Sequence, residues 1–225
     1  MPINKLLAGA VKIFLLSQVS EVKQLDIQVS GKSRQILKGY IPEVFINTQK
    51  AIYQQLHFSS LEVQGSNIKI NLGQVKSQKA LQLLEPILVD LKALILATDA
   101  IQSLTAPLLQ DGLTDIAQKL LAGYPEYLVN KENYHWEQIS LTNEAIAFSG
   151  TLQKSDRTIP LKLATQVKLA NNHTLILLAQ EITTDRSLPI SEEPITFDLG
   201  EQTSITELKI TPEQLALTGK ITIYP

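Results

Sequence analysis

Three stretches of this sequence share one spacing, and it constrains the fold more than any other feature. Leu61-x-Val63, Ile68-x-Ile70 and Gly73 form the first copy. Ile139-x-Leu141, Ile146-x-Phe148 and Gly150 form the second, and Leu208-x-Ile210, Leu215-x-Leu217 and Gly219 the third. Alternating apolar residues on either side of a four-residue middle read as strand, turn, strand. The middles, QGSN, TNEA and TPEQ, favour turns to differing degrees. The copies lie about 70 to 78 positions apart, too far for an ordinary solenoid period. Two readings stay open. In one, Leu61, Ile139 and Leu208 hold equivalent places in a repeated unit, with Ile68, Ile146 and Leu215 on the return strands. In the other, alternating hairpins resemble one another by physics alone. Both give antiparallel runs.

The rest of the chain adds strands and two amphipathic stretches. Leu25, Ile27 and Val29 alternate before Gly31. Ile36, Tyr40, Val44 and Ile46 predict a second strand, with Pro42 marking an edge or a bend. Residues 81–104 have helix-forming composition, yet Ile87, Val89, Leu91, Ala93, Ile95 and Ala97 alternate; the alternation favours one long strand. Residues 158–183 predict a hairpin turning at Asn171-Asn172. Pro107 opens a helix over 107–122 whose stripe is Leu108, Leu109, Leu113, Ile116, Ala117, Leu120 and Leu121. Thr105 is its expected cap and Gly123 its expected stop. Ile3, Leu6, Leu7, Ala10, Val11, Phe14 and Leu15 predict a first helix over about 2–20. Lys12 interrupts its apolar run, which a secretory signal would keep whole. That helix is a core element, an interfacial anchor or a lid, and the expected location is cytoplasmic or peripheral to a membrane.

Composition narrows the functions. Of 225 residues, 20 are Lys or Arg and 22 Asp or Glu, so no basic excess invites nucleic acid. Zero cysteines remove disulfides, thiolate metal sites and a cysteine nucleophile. Aromatics are only 5%, so Leu, Ile, Val and Ala must build the core. Aliphatic walls also hold alkyl chains without demanding hydrogen bonds. No nucleophile elbow, phosphate loop, dinucleotide fingerprint or HExxH occurs. His57, His135 and His173 are scattered, without a partner three or four positions away, so no metal, cofactor or catalytic residue is expected. Asp111 and Asp115 lie opposite the apolar stripe and read as a solvated face. Asn172-His173-Thr174 matches a glycosylation sequon, which means little without a signal peptide. Trp136 reads as an edge or interface aromatic.

Residues 34–75 resemble a bacterial family named for LmeA, a cell-envelope phospholipid-binding protein, in its cyanobacterial branch. The resemblance rests on Ile36 to Pro42 (ILKGYIP), Ala51 to His57 (AIYQQLH) and Asn67 to Gly73 (NIKINLG). Leu81 to Pro86 and Ser103 to Leu109 continue it. One departure is Gln55, where glycine is expected. The resemblance implies lipid binding without catalysis on a tubular, BPI-like fold. The expectation is therefore a single α+β domain over 1–225, with a long twisted antiparallel sheet wrapping two amphipathic helices. The expected ligand is a phospholipid or fatty acyl chain, with peripheral membrane contact through residues 1–20. The two apolar stripes predict a groove lined by Leu6, Val11, Phe14, Leu109, Leu113, Ile116 and Leu120. The alternatives are a scaffolding protein with a solid core and an enzyme whose site is too dispersed to read.

Overall fold

A computed structural model describes residues 19–71 and 82–225. The expected helix at 2–20, with Leu6, Val11 and Phe14, lies outside them, except that Val19 and Ser20 open a strand. Among the described residues eleven strands form two sheets, with antiparallel pairings throughout. In chain order they are β1 (Val19–Ser30), β2 (Tyr40–Tyr53), β3 (Leu56–Lys69), β4 (Ile87–Leu96), β5 (Tyr134–Thr142) and β6 (Ala145–Lys154). β7 (Arg157–Asn171), β8 (Thr174–Thr183), β9 (Ile195–Asp198), β10 (Thr203–Ile210) and β11 (Gln214–Ile223) follow. The first sheet has the order β1-β2-β3-β4-β11-β10 and the second β5-β6-β7-β8-β9. The α-helices among the described residues are α1 (Ser33–Leu37), α2 (Ala97–Gln102) and α3 (Pro107–Leu120).

The antiparallel α+β expectation holds, but the single long sheet wrapped around helices does not. Two open sheets stand in its place, and α3 packs on the second. Leu113, Ala117, Leu120 and Leu121 bury against Trp136, Phe148, Leu161 and Leu163. Trp136 is on the edge strand, yet it is core rather than an interface aromatic: it is 1% exposed and meets Phe148 edge to face at 4.8 Å. Its indole N–H donates to Thr114 Oγ1 at 3.0 Å, which satisfies the buried donor. The sheets join where Leu141, Val167 and Leu177 meet Ile210. There the Glu144 N–H donates to the Ile210 carbonyl and the Ile205 N–H to the Asn172 carbonyl.

Several local expectations are corrected. The predicted strand from Ile36 begins later, because Ile36 lies in α1, where it is 1% exposed. Gly31, at φ 141°, lets the chain turn into that helix; a Cβ there would sit 2.6 Å from Pro42 Cδ. The alternation from Ile87 does form β4, and the helical composition of 81–104 resolves into α2 directly after it. Ala106, not Thr105, is the N-cap of α3, with Pro107 at its first position. Leu121 ends that helix, and the chain passes into a 3-10 turn at Pro125–Tyr127 without a left-handed glycine at 123.

The repeat is half right. In the second and third copies Ile139 pairs with Phe148 and Leu141 with Ile146, just as Leu208 pairs with Leu217 and Ile210 with Leu215. Each hairpin also carries a bulge, between Trp136 and Gln138 in one and between Ile205 and Glu207 in the other. Gly150 and Gly219 sit opposite those bulges. The first copy is different, because Leu61 and Ile68 belong to one unbroken strand. β3 pairs with β2 from Tyr53↔Leu56 to Tyr40↔Lys69, and with β4 from Ser60↔Leu94 to Gly65↔Val89. Pairing on both sides outweighs the turn preference of Gln64-Gly65-Ser66-Asn67, which survives only as a positive φ of 55° at Asn67.

The β2–β3 turn shows why glycine is expected where Gln55 stands. Gln54 and Gln55 have φ of 47° and 66°, the double left-handed geometry of a type I′ hairpin. A glutamine held there costs about 1 kcal/mol relative to glycine. Gln55→Gly is expected to raise the melting temperature by about 2–4 °C in a chain of this size, measured by calorimetry. An unchanged or lower value would show that the turn is not strained.

Candidate functional site

The first sheet turns one apolar face inward, and its residues follow from the strand period of two. Cross-strand rows run Val29–Val44–Gly65–Val89–Ile221, then Ile27–Ile46–Val63–Leu91–Gly219, then Leu25–Thr48–Leu61–Ala93–Leu217. At one end of this face lies a groove of 560 Å³. Ile41, Val44, Ile46, Val63, Ile68 and Val89 form its floor, and Leu83, Ile223, Tyr224 and Pro225 its rim. Gly65 lines the groove without a side chain, paired between Val44 and Val89. The volume falls in the roughly 300–1,000 Å³ range of ligand sites, and the lining is almost wholly aliphatic.

A second cavity of 250 Å³ lies toward the other end of the same sheet. Leu56, Ile95 and Leu215 of the first sheet close it against Leu109, Leu113 and Ile116 of α3 and Ile139 of β5. The row containing Thr48, Leu61 and Ala93 separates the two spaces. Thr48 is 7% exposed and its hydroxyl has no hydrogen-bond partner. It shares a face with Val44 and Ile46, so a buried donor points into an otherwise apolar surface.

Among the described residues, neither cavity gathers acid–base machinery. His57 and Ser103 both line the smaller one, but the contact is from the His57 backbone N–H to Ser103 Oγ at 2.8 Å. Ser103 Oγ in turn donates to the Asp99 carbonyl at 2.7 Å, so the hydroxyl is committed to structure. The groups with shifted pKa lie elsewhere. The Asp115 carboxylate raises Lys131, burial raises Tyr134, and the Tyr127 hydroxyl hydrogen bond lowers Asp185. Asp115 is paired with Lys131, and Asp111 is exposed on the outer side of α3. Among the described residues, no group of three or more His, Asp or Glu is placed to hold a metal ion. Among them also, no helix is long and apolar enough to cross a membrane.

The residues read from the sequence divide three ways. Leu109, Leu113 and Ile116 come together in the smaller cavity. Leu120 lies in the packed core with Leu121 and Trp136. Leu6, Val11 and Phe14 lie outside the described residues. The larger groove was missed, because the alternation of Ile41 to Ile46 and of Ile87 to Val89 looks the same whether a face is filled or open. Gly65 in the middle of a strand was the available signal, since strand glycine often marks a close approach to the backbone.

Comparison with known proteins adds one finding. A family model described as LmeA-like phospholipid-binding matches residues 2–220. No curated protein and no solved structure matches.

Proposed function

This chain belongs to the LmeA-like phospholipid-binding family, and from that premise we propose that it binds a phospholipid or another acyl-chain lipid along the inner face of the first sheet, without catalysis. The observation that carries this reading is the 560 Å³ aliphatic groove with Gly65 in its floor. From Ile87 to Ile95 that face spans eight residue steps at about 3.3 Å each, about 26 Å. One leaflet of a bilayer is roughly 15 Å of hydrocarbon, so the face is long enough for an acyl chain. The smaller cavity, with Leu109, Leu113 and Ile116, extends the track. From the sequence, Leu6, Val11 and Phe14 are further expected lipid contacts and residues 1–20 an expected peripheral membrane contact, and the whole chain acts as one lipid-binding unit.

The energetics suit exchange. A 16-carbon chain moved from water gains ~12 kcal/mol at ~0.8 kcal/mol per methylene. Ordering and association remove a large part of that. A chain drawn from a membrane starts in hydrocarbon and gains far less, so uptake is reversible and the protein serves as a lipid carrier.

Native mass spectrometry of gently purified protein tests the reading. The expected result is a mass increment that releases a phospholipid or fatty acid on activation. A bare protein that also takes up no dispersed phospholipid would favour a scaffold with a closed core.

A further inference from the structure

We propose that the rim of the larger groove is a docking surface for an anionic lipid membrane, an inference that rests on the lipid-binding reading. Two features coincide at this end of the sheet. The first is exposed apolar surface: Leu37, Leu84 and Tyr224 are each 56% exposed. Tyr224 lines the groove, and Leu84 and Leu37 are the chain neighbours of Leu83, which lines it, and of Ile36, which packs in the apolar cluster beside it. That one cluster holds Ile36 together with Leu83, Ile70 and Ile87. The Gly39 carbonyl accepts the Ile70 N–H, and the Leu84 N–H donates to the Lys69 carbonyl; these bonds hold α1 and the 82–85 segment to the same strand ends.

The second feature is charge. Lys32, Arg34 and Lys38 flank Leu37 on α1, all exposed. Among the described residues none of the three forms an ion pair. The nearby Glu85 carboxylate is taken by Lys69 at 2.7 Å. On a chain of net charge −2, three unpaired cations within seven positions stand out. Exposed apolar side chains, one of them flanked by unpaired cations, match the interface of a bilayer with anionic headgroups. Docking there sets the groove mouth against the hydrocarbon boundary, and an acyl chain enters without crossing water.

The test uses the full chain and vesicles of phosphatidylcholine with or without phosphatidylglycerol. Wild-type protein should float with the phosphatidylglycerol vesicles and much less with pure phosphatidylcholine. Binding should fall steeply as salt rises from 0.05 to 0.5 M, because surface charges are screened. The combined Lys32→Gln, Arg34→Gln and Lys38→Gln variant should bind these vesicles on the order of 100-fold more weakly, since each cation near an anionic surface is worth about 1 kcal/mol. Leu37→Gln with Leu84→Gln should weaken vesicle binding further. Uptake of short-chain phosphatidylcholine from solution reads the groove itself and should be unchanged in the cation variant. Vesicle binding that survives loss of the three cations, or that ignores salt, overturns the proposal and moves the contact elsewhere, such as to residues 1–20. Failure of the wild type to bind anionic vesicles overturns it equally. Cation-dependent vesicle binding without short-chain lipid uptake supports the docking surface while defeating the groove reading.

Discussion

Gly150→Ala is expected to cost the protein a large part of its stability. A Cβ at position 150 would lie 1.9 Å from the His135 carbonyl oxygen and 2.8 Å from the Trp136 Cα. Both are backbone atoms of the bulged strand, so no side chain can move aside. Relief would require opening the β5–β6 ladder beside Trp136, which is fully buried against Phe148 and Tyr134. The cost should exceed about 4 kcal/mol, the exceptional range for one substitution. Total stabilities are about 5–15 kcal/mol. Gly219→Ala meets the Ser204 carbonyl at 2.5 Å in the corresponding bulge and should cost less, about 2–4 kcal/mol. Gly123→Ala is the control: nothing lies within 4 Å of its Cβ position. It should leave stability unchanged or raise it by up to about 1 kcal/mol. Urea midpoints at constant m-value rank the three. A Gly150→Ala protein as stable as the Gly123 variant would mean that the bulge is not where the pairing puts it.

That result would also give the repeat its physical cause. Gly150 and Gly219 recur at matching positions because both hairpins bulge there, and a bulge brings a carbonyl over the partner strand. The sequence displayed this as apolar pairs followed by a glycine. It could not display that the first copy runs straight on, since what keeps β3 extended through Gly65 is β4 on its far side. Pairing partners distant in sequence are invisible to local pattern. β4 pairs with β11 from Ile87↔Ile223 to Leu96↔Gln214, and no periodicity near Ile87 announces it. The division into two sheets was hidden for the same reason. The helix at 107–120 was legible because its stripe is local: Leu113, Ala117 and Leu120, spaced four and three apart, are its buried apolar residues. α1 was not, because five residues hold too few turns to show a period. The apolar stripe of α3 was legible as a face but not as a lining. Leu109, Leu113 and Ile116 border a cavity while Leu120 fills the core, and nothing in their identities separates the two fates.

Gly65→Phe is expected to block the groove while leaving the fold intact. The position lies in the floor between Val44 and Val89, facing the open volume. A Cβ there meets Ile68 Cδ1 at 3.2 Å, Val89 Cγ1 at 3.4 Å and Ile68 Cγ1 at 3.8 Å, all side-chain atoms, and the two nearest are side-chain ends that can shift by a few tenths of an ångström. Glycine is also a poor strand residue, so an aromatic side chain there brings intrinsic strand preference and loses no close backbone approach. The ring would occupy the space of a bound chain. Displacing about four methylenes at ~0.8 kcal/mol each removes roughly 3 kcal/mol, more than 100-fold in affinity for an acyl-chain probe. Gly65→Ala, adding one methyl, should bind nearly as the wild type does. Thermal melts separate a blocked groove from a broken fold, since the phenylalanine variant should melt no lower than the wild type. Loss of probe binding with an undiminished melting temperature places the ligand on the inner face of the first sheet. Full binding by a folded Gly65→Phe protein would move the lipid away from this groove and toward the smaller cavity beneath α3, where Ile116→Phe becomes the corresponding block.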